Sequence, residues 1–129
     1  MNFLEHNNAM VEYNEHLESM NISLHGTIPH EELRQISLIE YDLIRQHQIK
    51  KCMVNIQGID FSSIKIQQYL QEDWFPQVAK YGMIQVAVVV SEKVYISLFG
   101  DRFYPYINDA GMVIQYFKDM SLANEWISG

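Results

Sequence analysis

Cysteine is nearly absent from this chain. Cys52 stands alone among 129 residues, so no intrachain disulfide can staple the fold. Beside Met53 and Val54 a lone thiol reads as a small buried hydrophobe, because no neighbouring His or base motif marks it as a nucleophile. Basic residues are scarce as well. Nine Lys and Arg against 16 Asp and Glu leave a formal charge of −7, which repels phosphate backbones and anionic lipid surfaces. Lys50-Lys51 is the one adjacent basic pair, so nucleic acid is not an expected partner. No apolar run approaches the roughly 20 residues of a membrane helix. The opening residues, Met1 to His6, lack a basic stretch followed by an apolar core. No membrane insertion and a cytoplasmic location are the expectations.

What is present describes a folded α/β chain. Hydrophobic residues make up 48% and charged residues 19%, a balance that supports a core and argues against disorder. The length suits one domain spanning residues 1–129. The chain is organised around Gly82 to Ser91. Between Met83 and Val90 the one polar side chain is Gln85, and valines dominate the second half. A half-wet strand would alternate; a nearly continuous β-branched run predicts a strand covered on both faces.

Four more strands are expected around it. Residues 9–14 form the first. Met20, Ile22 and Leu24 alternate with Asn21, Ser23 and His25 in the second, closing a hairpin that ends at Gly26. Residues 51–57 and 112–117 supply the others. Helices fill the intervals. Pro29 opens a helix through about residue 47, with Glu31 and Glu32 at its positive end and Leu33, Ile36, Ile39, Leu43 and Ile44 on its apolar face. Ser62 or Ser63 caps a second helix that Pro76 kinks and Gly82 stops. A third begins near Lys93 and is weakened by Gly100 and Pro105; a fourth is capped by Asp119 or Ser121. The predicted order is β-β-α-β-α-β-α-β-α. Right-handed crossovers then give a mixed, mostly parallel five-stranded sheet with helices packed mainly on one side.

This order resembles the STAS domain, typified by bacterial anti-sigma-factor antagonists, and more closely the small STAS-like proteins of Bacteroidetes. The residues that carry the resemblance are Val11 to Tyr13, Met20 to Gly26, Asp73-Trp74-Phe75-Pro76, Gly82 with Val86 to Val90, Tyr116 to Asp119, and Ala123 to Trp126. Together they span about residues 9–128. The STAS resemblance implies protein–protein signalling, often switched by phosphorylation of a serine in an Asp-Ser-Ser-Gly turn after the third strand. This chain departs from that turn. Asp60, Ser62 and Ser63 remain as a displaced candidate, where a phosphate would gain from a helix N-terminus and be opposed by Asp60. Helix capping is the plainer role for the two serines.

Other constellations are weaker. The five histidines, His6, His16, His25, His30 and His47, lack the spacing of a metal motif, although His25, His30 and Glu31 lie near one turn. No metal and no cofactor is expected. Glu72 and Asp73 beside Trp74 are adjacent on a helix and so do not face each other as an acid/base pair. The aromatic segment Tyr95, Phe99, Phe103, Tyr104, Tyr106 stands out. Helix packing accounts for Phe99 and Phe103, whereas Tyr104 and Tyr106 fit an interface, where tyrosine brings area with a polar end. The sequence reading is therefore a non-catalytic interaction or regulatory module with a protein partner or a second copy in a homodimer. A carrier of a small apolar ligand or lipid, with a cavity beneath the third helix, is the alternative, and an enzyme of unknown class comes third.

Overall fold

A computed structural model describes residues 2–6, 8–59, 63–99, 105–107 and 111–129. In chain order the elements are β1 (Asn2–His6), β2 (Ala9–Asn14), β3 (Ser19–Gly26), α1 (His30–His47), β4 (Lys51–Ile59) and α2 (Ser63–Tyr69). A π-helical turn (Leu70–Trp74) leads into α3 (Phe75–Lys80). β5 (Gln85–Val89), α4 (Glu92–Phe99), β6 (Pro105–Ile107), β7 (Val113–Phe117) and α5 (Met120–Ser128) follow.

One sheet joins the strands in the order β1-β2-β3-β4-β5-β7-β6. β3, β4, β5 and β7 run parallel, and β1, β2 and β6 pair antiparallel at the edges. The five expected strands are all present, with helices between them in the expected order. Two edge strands extend the sheet to seven. β6 begins with Pro105, a residue without a ladder donor that strands accept at their first position and at sheet edges.

β5 lies in the middle of the parallel run, and its side chains divide between two apolar layers. Val86, Val88 and Val90 face one layer with α1, α2, α3 and α4; Ala87 and Val89 face the other, with Ala123 and Ile127 of α5. Every residue from Val86 to Val90 is buried, so the continuous β-branched run has its physical reason. Each buried valine contributes roughly 1.5–3 kcal/mol of transfer free energy. Among the described residues most helices thus share one side, and α5 is the helix that covers the reverse. α5 is tied down at both ends. Asp119 caps it by accepting from the Ser121 and Leu122 amides, while Lys51 Nζ and Gln85 Nε2 donate to the Ile127 and Trp126 carbonyls at its C-terminus.

The break expected at Pro76 takes a particular form. The Phe75 amide donates to the Leu70 carbonyl, five residues back, so the backbone widens into a π turn just before the proline. An α-helical register would set the Pro76 ring against the Glu72 carbonyl. The wider turn also buries Leu70, Trp74, Phe75 and Val78 together against α1 and the sheet.

Candidate functional site

The carboxyl ends of β3 and β4 open onto a cleft between α1 and α2. Ligands in open α/β sheets favour this end of the strands. Thr27, Ile28 and Ile59 extend from the strand ends, Pro29 and His30 come from the start of α1, and Lys65 from α2. Its volume is about 290 Å³. The floor is made of Leu33, Ile66 and Tyr69, all buried. His30 meets the Tyr69 ring edge-on at 5.9 Å. Gly58 brings the two strands close here. A Cβ on Gly58 would lie 2.9 Å from His25 Cβ, where the β3–β4 register shifts.

Behind that floor lies a second, interior space. Leu33, Ile66 and Tyr69 also line a chamber of about 10 Å³, with Glu40 and Trp74 at its inner end. Glu40 is 2% exposed, although it is ionisable. Its place follows from helical spacing: Leu33, Ile36, Ser37, Glu40 and Ile44 form the buried stripe of α1. Trp74 Nε1 donates to Glu40 Oε1 at 3.0 Å. Glu40 Oε2 has no hydrogen-bond partner among the described residues. Burial pushes the Glu40 carboxyl up to about 8, and the Trp74 hydrogen bond only partly offsets this.

The same layer holds a tyrosine pair. The Tyr69 hydroxyl donates to Ser37 Oγ at 2.6 Å, and the Tyr41 phenol is its electrostatic neighbour. Burial raises both phenols above their ordinary range. Cys52 is buried on β4, and its thiol is pushed up first by burial and then by the Glu40 charge. A thiol held protonated in this way is a poor nucleophile.

The sites read from the sequence fall differently. Ser63 is the first residue of α2, at the edge of the cleft-forming segment, whereas Asp60 and Ser62 lie outside the described residues. Tyr104 and Phe103 also lie outside them, and the Tyr106 backbone pairs with Ile114 in the edge strand β6. Tyr95 and Phe99 pack inward, with Phe99 between Tyr95 at 5.1 Å and Tyr116 at 5.3 Å. These rings pack beneath α4, the place where the sequence reading sets the cavity of its alternative carrier role. Glu72 and Asp73 are exposed, and the acid facing Trp74 is Glu40, from a different helix. Among the described residues no three His, Cys, Asp or Glu side chains cluster as a metal site. No helix among them is long and apolar enough to cross a membrane.

Sequence reasoning missed Glu40, although the signal was present. It occupies the i+4 position between Ile36 and Ile44, inside the apolar stripe.

No family model matches the chain, and no curated protein matches it. Among solved structures it is similar to an uncharacterized protein of the DUF3478 family with a SpoIIAA-like fold, from Shewanella loihica PV-4. The two share 12% identity at a TM-score of 0.47, over 96% of this chain and 98% of the other. The chain itself is an α/β fold with a mixed, mostly parallel sheet.

Proposed function

We propose that this chain is a non-catalytic, regulatory protein-interaction module of STAS-like type, whose working surface is the carboxyl-end rim of its sheet. The observation that carries this reading is the cleft between α1 and α2. It is apolar at its floor and polar at its lip, where His30 and Lys65 are exposed. Such a cleft suits an anchoring side chain of a partner, gripped by packing and oriented by the rim. Ser63 opens α2, two residues before Lys65 of the lip, and Asp60 and Ser62 precede it in sequence as the rest of the candidate modification turn. Phosphate added there would alter the charge that a partner meets.

Size favours this reading over lipid carriage. Sites that enclose a drug-sized molecule occupy about 300–1,000 Å³. A cleft of about 290 Å³ that opens to solvent falls just below that range. The test is native mass spectrometry of protein isolated from its own cells, comparing the natural chain with a His30→Glu/Lys65→Glu double variant. A protein complex that the double variant loses while keeping its circular dichroism supports the module. A complex that survives the double change, or a small noncovalent mass with no protein partner, overturns it.

A further inference from the structure

We propose that the chamber at Glu40 is the inner end of a ligand site for a small uncharged molecule with an apolar body and one carbonyl oxygen, entered from the cleft by displacement of the Tyr69 ring. This goes beyond the protein contact assigned to the rim, since it rests on the interior and requires no protein partner.

Three observations lead to it. Glu40 Oε2 is buried and unpaired among the described residues, and an unmet buried polar atom is destabilising. The chamber and the cleft share Leu33, Ile66 and Tyr69 in their linings, so the two spaces adjoin at these residues. The partition that can move is Tyr69, which swings on its own χ angles; its hydroxyl is anchored by a hydrogen bond to Ser37. One such bond is weak enough for a ligand's burial to offset.

The chemistry of the chamber selects the ligand. Glu40 Oε1 already accepts from Trp74, and the buried carboxyl stays protonated at neutral pH, so the acid hydrogen belongs on Oε2. That leaves a donor in need of an acceptor. Ile22, Leu24, Val54 and Leu70 surround it with hydrocarbon, where bringing in a charge would cost several kcal/mol. A chamber of about 10 Å³ holds one water-sized group, which is the size of a carbonyl oxygen. The larger apolar body then takes the space vacated by the Tyr69 ring and the floor of the cleft.

The probe pair is acetophenone and its hydrocarbon isostere α-methylstyrene, which replaces the carbonyl oxygen by a methylene group. Each is titrated into nitrogen-15-labelled protein while the Trp74 indole N–H resonance is followed, with the Trp126 indole as internal control. Acetophenone is expected to shift Trp74 and to bind about tenfold more tightly than α-methylstyrene. Glu40→Leu is expected to abolish that preference, and Glu40→Gln, which keeps an N–H donor, to retain much of it. Should Glu40→Leu fail to fold, the natural chain and Glu40→Gln still decide the matter. An unmoved Trp74 signal overturns the proposal, because the chamber then admits water at most. Equal binding of the two probes to the natural chain also overturns it.

Discussion

Trp74 and Glu40 are 34 residues apart in sequence and joined by a 3.0 Å hydrogen bond in the interior. Among the described residues the indole N–H is the one donor to a carboxyl that burial would otherwise leave without a partner. The π turn at Leu70–Trp74 is what turns this side chain inward, toward α1. Replacing Trp74 by Phe removes the donor and some volume together. Trp74→Phe is expected to destabilise the fold by about 2–4 kcal/mol, read as a lowered urea midpoint at unchanged m-value. A midpoint within error of the natural chain would show that the bond contributes nothing.

The raised Glu40 pKa makes stability depend on pH in a stated direction. In the unfolded chain the carboxyl ionises near 4.5, while in the fold it holds its proton to about 8. Between those values folding takes up a proton, so raising the pH opposes it. The groups facing Glu40 are the Trp74 N–H, the Cys52 thiol on β4 and the Tyr41 and Tyr69 hydroxyls, with Asp73 adding charge to the tyrosine pair. None is a cation. The natural chain is expected to lose roughly 1 kcal/mol per pH unit from this group across that window, and then to level off. Glu40→Gln keeps an acceptor for Trp74 and cannot ionise, so its urea midpoint stays flatter and exceeds the natural value at pH 8. Parallel pH profiles for the two proteins would sink this reading of Glu40.

Gly58 is a steric prediction. A methyl group there meets His25 Cβ at 2.9 Å, too close for two carbon atoms. Gly58→Ala is expected to cost about 1–3 kcal/mol and to disturb amide signals at the carboxyl ends of β3 and β4 before those of β5. Uniform small changes, or none, would mean that the strands separate there without strain.

Much of this fold was legible because the parallel strands obey simple patterns. Covered strands read as β-branched runs, as at Val86–Val90, and the half-buried β3 alternates. The two edge strands were not legible. β6 has three residues opened by a proline, and β1 shows no clear period over Asn2–His6, so pairing with a neighbour defines them more than pattern does. The cleft was harder still. It forms where Thr27, Ile59 and Lys65, distant in sequence, converge through the β3–β4 register. Glu40 was readable in principle, since an acid inside the stripe of Leu33, Ile36 and Ile44 has nowhere to go but inward.

The aromatic segment after α4 gives a prediction about self-association. Ile96 and Leu98 on α4 are exposed, at 53% and 45%, and Tyr104 and Tyr106 follow them in sequence. Tyr104→Ala/Tyr106→Ala is expected to lower the sedimentation coefficient toward that of a monomer without changing the thermal midpoint by more than a few degrees. An unchanged sedimentation coefficient would remove this segment from consideration as a dimer surface.

On the proposed function, a protein partner is met at the cleft between α1 and α2. A photo-crosslinking amino acid at position 30, on the lip of the cleft, tests it most directly. The same residue at position 122, exposed on α5 across the sheet, serves as the control. Irradiation in the native cell should give a discrete protein adduct from position 30, absent from position 122 and lost when Lys65→Glu is added. The same adducts from both positions, or none from position 30, would contradict the account.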